Sequence, residues 1–148
     1  MKSNKTAYEA AMHLLKYRDQ STYELRNKLK IRKYSSEEIE ECIHRLLECG
    51  YVDDKVLAEE TFRNYKNMNV YGDSYIHLKM RSRGLITDEH LSHSEEMAAA
   101  LNVMRSKIKL VSALKKDYKR SAALLYRRGF DTSVICSVLE ELHISDYE

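Results

Sequence analysis

Apolar residues recur along this chain in the three- and four-residue steps of a helix, not in the alternation of a strand. Leu25 and Leu29 sit four apart, with the stem of Arg32 completing the stripe three further on, and Ile39, Ile43, Leu46 and Leu47 obey the same rule. The breaks between such stripes are marked. Gly50, Gly84 and Gly129 each follow a periodic run where a helix would end in a left-handed residue, a conformation glycine adopts without steric cost. Gly72 precedes Asp73, which is placed to cap the next helix. Ser21–Glu24, Ser35–Glu38 and Ser92–Glu95 have the spacing of capping boxes, and Thr87 or Asp88 and Asp131 or Thr132 are further candidate caps. The pattern predicts helices at 7–18, 22–33, 37–49, 54–68, 74–83, 88–94, 95–113, 116–128 and 132–142.

The stripes repeat. When Tyr34, Leu85 and Phe130 are superimposed, Arg32, Arg83 and Arg128 stand two residues earlier. Leu29, Met80 and Leu125 stand five earlier, and Leu25, Ile76 and Ser121 nine earlier. Downstream, Ile39, Ile43 and Leu46 match Ile135, Leu139 and Leu142. The second copy fits there only with one extra residue near Ile86, which puts Leu91 in the place of Ile39. The anchors are 51 and 45 residues apart, a period typical of helical repeat arrays. The expected fold is therefore all-α: three tandem three-helix repeats, resembling helix-turn-helix units, in an elongated, curved array. The repeats cover residues 1–52, 53–94 and 95–148.

Composition supports this reading and narrows the chemistry. With no proline and only four glycines among 148 residues, the turns of a β-sandwich are hard to build. A net charge of +2 excludes a polycationic coat for nucleic acid, so any charged recognition must come from how charge is distributed. That distribution is sorted by helix. The middle helix of each repeat is basic: Arg26, Lys28, Lys30, Arg32 and Lys33; then Lys79, Arg81 and Arg83; then Lys119, Arg120, Arg127 and Arg128. The closing helices are acidic, with Glu37, Glu38, Glu40, Glu41 and Glu48 in the first, Asp88 and Glu89 in the second, and Asp131, Glu140 and Glu141 in the third. Helix dipoles explain acids at N-termini and bases at C-termini, but not Arg26 and Lys28 in the first half of their helix. Arg26, Lys28, Arg32, Lys79, Arg81, Arg83, Lys119, Arg127 and Arg128 are accordingly the candidate partner-binding residues.

Cys42, Cys49 and Cys136 form no disulfide framework, and no stretch has the length of an apolar membrane span or a signal peptide, so a cytoplasmic protein is expected. His90 and His93 could share a helix face, but spacing fixes no third or fourth ligand, so no metal is expected. No phosphate loop, catalytic triad or nucleophile elbow is present, and neither a cofactor nor an enzyme activity is expected.

Several segments resemble the RecX family in order and spacing. Arg18 to Leu29, with Ser21, Glu24–Leu25 and Lys28–Leu29, is similar to the family's opening pattern. Gly50-Tyr51-Val52-Asp53-Asp54 is similar to its first junction. Gly72 to Leu85 and Arg127-Arg128-Gly129-Phe130 are similar to its second- and third-repeat signatures. Asp73, Met80 and Leu57 depart from it, standing where proline, leucine and an aromatic residue are usual. The resemblance implies a monomeric protein that binds the RecA recombinase filament and mainly inhibits it in recombination and repair, with at most weak contacts to single- or double-stranded DNA. The alternative is a helix-turn-helix module acting directly on DNA. The acidic closing helices, where a recognition helix would lie, count against it.

Overall fold

In the computed structural model, which describes residues 4–145, all regular structure is helical. The helices are α1 (Ala7–Tyr17), α2 (Thr22–Ile31), α3 (Ser36–Glu48), α4 (Asp54–Met68), α5 (Asp73–Ser82), α6 (His93–Leu110), α7 (Tyr118–Arg127) and α8 (Thr132–Glu141), with a 3-10 turn at Ser112–Lys116. Among the described residues no helix is long and apolar enough to cross a membrane.

The three capping boxes and the glycine stops predicted from the sequence are present, but Asp73 is the first residue of α5 and not its cap: its carboxylate turns to Leu91 and His90, and Thr87 and Asp88 have no helix to cap. Ser21, Ser35 and Ser92 each accept from the backbone N–H three residues on, and the glutamate there accepts from the cap N–H in return. Thr6, Asp117 and Asp131 cap α1, α7 and α8. At the other ends the chain turns left-handed at Lys33, Gly50, Asn69, Gly84, Gly129 and His143, with φ between 55° and 82°. After five of these turns the next N–H reaches back to a carbonyl five residues earlier: Tyr34 to Leu29, Tyr51 to Leu46, Leu85 to Met80, Phe130 to Leu125 and Ile144 to Leu139. This is the Schellman closure, and the residue after the turn folds back over the helix it has just left. Tyr34, Leu85, Phe130 and Ile144 are all buried. The repeat seen in the sequence is this motif: the anchor and the residue five before it are the two ends of one hydrogen bond.

The chain groups into two compact units. Among the described residues the first comprises 4–60 and 80–87. In it α1, α2 and α3 pack around Ala10, Ala11, Leu25, Leu29, Tyr34, Ile39, Ile43 and Leu46. Asp54 closes the start of α2, accepting from Thr22 N–H at 2.9 Å and Thr22 Oγ1 at 2.6 Å. The second unit comprises, among the described residues, 61–79 and 88–145. Here α6, α7 and α8 pack around Ala100, Val103, Met104, Leu125, Phe130, Val134, Val138 and Leu139.

One predicted helix does not form. Of the stretch 88–94, residues 88–92 run without helix, and His93 and Ser94 open α6 instead. Side chains of α5 satisfy this run instead of a helical ladder. Leu91 N–H donates to Asp73 Oδ1 at 2.8 Å, His90 Nδ1 lies 2.7 Å from Asp73 Oδ2, and His77 Nε2 lies 2.9 Å from the Glu89 carbonyl. Leu91 is half-buried on a non-helical segment, whereas Ile39 is buried on a helix. The last long helix also ends early, at Leu110, and α7 starts at Tyr118 because Asp117 caps it and Ser121 Oγ bonds to the Leu114 carbonyl of the 3-10 turn.

Gly72 and Gly129 approach each other backbone to backbone. Gly72 N–H donates to the Arg128 carbonyl at 2.8 Å, and a Cβ on Gly72 would lie 2.3 Å from the Gly129 oxygen. Gly50, at φ 74°, has open space where its Cβ would point. Gly50→Ala should therefore lose about 1 kcal/mol, the left-handed strain alone. Gly72→Ala should lose about 3 kcal/mol from overpacking. Urea unfolding of both variants checks the order.

Candidate partner-binding surface

The basic candidates divide into those with partners inside their own unit and those that point free. Arg83, two residues before its anchor Leu85, is turned inward. Its guanidinium meets Glu24 at 3.1–3.3 Å and the Asp19 carbonyl at 3.1 Å. Glu24 also accepts from Arg18 at 2.6 Å and from the Ser21 N–H at 3.1 Å. Burial alone would raise the Glu24 pKa, but the Arg83 hydrogen bond and the Ser21 amide outweigh it and hold the carboxyl below its ordinary value. Arg26 makes a two-pronged ion pair with Glu40, Nε–Oε1 2.8 Å and Nη2–Oε2 3.2 Å. Lys28 donates to Gln20 at 2.7 Å, and burial, with Arg18 nearby, pushes its ammonium below the usual lysine range.

In the second unit Tyr71 and Tyr75 stack with centroids 4.2 Å apart, and Tyr65 meets both edge-on. The Arg128 guanidinium lies 5.4 Å from the Tyr71 ring, and Lys79 Nζ lies 5.5 Å from the Tyr75 ring. These charges are spent on holding the fold.

Arg32, Arg81, Lys119 and Arg127 remain. None makes a side-chain hydrogen bond or ion pair among the described residues; the last three are exposed and Arg32 is half-exposed. Three of them stand beside a large exposed apolar side chain near the end of a middle helix. Ile31 (77% exposed) precedes Arg32, Leu78 (60%) lies one turn before Arg81, and Tyr126 (73%) precedes Arg127. Tyr126, Arg127, Leu78, Tyr75 and Phe130 line a shallow cavity of about 250 Å³ in the second unit. An exposed aliphatic or aromatic residue next to an arginine with no internal partner is the composition of a protein-binding hot spot. The sequence offered no way to separate these arginines from Arg26, Arg83 and Arg128, because their carboxylate and ring partners come from distant parts of the chain. Tyr17 and Tyr126 are likewise exposed.

The histidines are arranged differently from expectation. His93 opens α6, whereas His90 joins Asp73 and His77 of α5, and one ligand atom from each of these three lies within 4.8 Å of the others. In the same unit, Glu96 is buried and accepts the Asp73 N–H at 2.8 Å; burial raises its pKa. Glu95, bonded to Lys66 at 2.6 Å and to the Ser92 amide, has its pKa lowered to about 2.

Residues 7–46 match the family description "RecX, first three-helix domain". The regulatory protein RecX of Chlorobium phaeobacteroides strain BS1 is 31% identical over 146 residues, covering 94% of this chain and 95% of that protein. The regulatory protein RecX of Bacillus subtilis strain 168 is 28% identical over 153 residues; the match covers 97% of this chain but 58% of that relative. The crystal structure of RecX from Lactobacillus salivarius superposes with a TM-score of 0.76 at 21% identity, over 93% of this chain and 94% of that one.

Two carboxylates should respond to pH in opposite senses. The folded-state pKa of Glu24 is lowered, so its stabilising contribution is present above the ordinary carboxylate value and lost as pH falls. Glu24→Gln should lower stability by about 1–3 kcal/mol at pH 7, with the deficit shrinking in acid. The folded-state pKa of Glu96 is raised, so its charged form opposes folding above that pKa. Glu96→Gln should raise the melting temperature at pH 7 and lose that advantage as pH falls through the carboxylate range. Thermal melts across pH check both.

Proposed function

The chain belongs to the RecX family of regulatory proteins, and on that premise we propose that it acts by binding, as a modulator that docks on the RecA filament and restrains it. The observation that supports this most directly is the pairing of an exposed apolar residue with a free arginine near the ends of α2, α5 and α7. In this reading the repeats 1–52, 53–94 and 95–148 each supply one foothold. A filament presents the same surface many times over, so several weak footholds on one chain act together through effective concentration. Each rim charge alone contributes about 0.2–1 kcal/mol. Arg83, Arg26 and Arg128 then serve recognition indirectly, by holding the helices that carry the contacts.

Direct action on DNA is less well supported. Glu37, Glu40, Glu41 and Glu48 of α3 are exposed, as are Glu140 and Glu141 of α8, and they would face phosphates if either helix entered a groove.

A variant carrying Arg32→Glu, Arg81→Glu, Lys119→Glu and Arg127→Glu should fold and melt as the parent does, and should bind RecA–DNA filaments at least about ten-fold more weakly, given four such contacts. Its inhibition of RecA-driven strand exchange should fall in parallel. Arg83→Glu should instead lower thermal stability. Undiminished filament binding by the folded quadruple variant would refute the assignment. Tight binding to bare duplex with a steep salt dependence would favour the DNA module.

A further inference from the structure

Two imidazoles and a carboxylate from separate stretches of chain converge in the second unit. Asp73 opens α5, His77 follows one turn later, and His90 stands on the non-helical run before α6. Asp73 Oδ2 is 2.7 Å from His90 Nδ1, and Asp73 Oδ1 is 3.5 Å from His77 Nε2. The two rings stack, with centroids 4.6 Å apart and planes inclined by 19°. The Glu89 carbonyl oxygen adds a further donor atom, 2.9 Å from His77 Nε2.

Without an ion, hydrogen bonds hold the run: the Leu91 amide and His90 Nδ1 meet Asp73, and His77 Nε2 donates to the Glu89 carbonyl. A divalent cation would replace the imidazole hydrogen bonds, taking both rings neutral and using their lone pairs. The i, i+4 spacing of Asp73 and His77 sets both on one face of α5. Around a tetrahedral Zn²⁺ the ligand atoms stand about 3.3 Å apart; one ligand atom from each of the three residues already lies within 4.8 Å of the others, and rotation of the exposed His90 ring out of the stack brings the in-plane lone pairs to one point. The side chain of His90 is 65% exposed, which leaves a route for the ion and room for a water ligand.

We propose that Asp73, His77 and His90 form a binding site for a borderline divalent transition metal, Zn²⁺ before others, with water or the Glu89 carbonyl completing the shell. Two nitrogens and one carboxylate suit Zn²⁺, Co²⁺ or Ni²⁺ and not Mg²⁺ or Ca²⁺, which take oxygen shells. The bound ion clips residues 89–91 to the first turns of α5, where the second repeat has no closing helix to do so.

The test uses the full chain, stripped with chelator and titrated with Zn²⁺ by calorimetry and with Co²⁺ by visible absorption. The expected result is one equivalent bound, d–d bands without a thiolate charge-transfer band, and a melting temperature that rises with Zn²⁺. His90→Gln changes an exposed side chain and should weaken binding at least about ten-fold. His77→Gln with His90→Gln should abolish it, and Cys49→Ser with Cys136→Ser should leave it unchanged. Circular dichroism confirms that each variant is folded. No one-equivalent uptake, uptake unchanged in the double histidine variant, or a charge-transfer band that disappears with the cysteines would each overturn the site.

Discussion

Each middle helix of this chain stops in the same way, and much of the structure follows from that stop. A left-handed residue turns the chain, the next amide bonds back five residues, and the apolar side chain at that point drops into the core over the helix just completed. Tyr34 closes on Leu29, Leu85 on Met80 and Phe130 on Leu125, and all six are buried. Register is thereby fixed at both levels. The backbone bond sets where the helix ends, and the buried anchor sets which face of the helix points inward. It also places an arginine two residues before each anchor, at the last turn of the helix.

The same register does not impose the same role. Arg83 meets Glu24, Arg128 meets the Tyr71 ring and the Val70 carbonyl, and Arg32 meets neither an acid nor a ring among the described residues. Recognition chemistry therefore cannot be assigned by repeat position alone. In the proposed reading it belongs to the charges left over once the fold has taken its share. These lie beside Ile31, Leu78 and Tyr126, apolar side chains that the core does not take in.

What was legible in the sequence follows the range of the forces involved. Caps and left-handed stops are local, so Ser21, Ser35, Ser92, Gly50, Gly84 and Gly129 could be read directly, and the periodicity placed Leu25, Ile43 and Leu139 in the core. The missing helix at 88–94 could not be read, because Asp73 and His77 satisfy its backbone from a different element. The partners of Arg83 and the meeting of His90 with His77 are likewise tertiary, and sequence spacing drew attention to His93 instead. Asp117 as the cap of α7 was local and could have been found: it stands three residues before Arg120, whose amide it accepts.

The central claim is that the ends of α2, α5 and α7 are the surface this RecX-family chain presents to its target. Hydrogen exchange of the chain, free and bound to RecA–DNA filaments, reads that surface directly. The account predicts added protection concentrated around Ile31–Lys33, Leu78–Arg83 and Tyr126–Arg128, with α3 and α8 unchanged. Protection of the acidic α3 and α8 helices, with those three helix ends exchanging as freely as before, would contradict it.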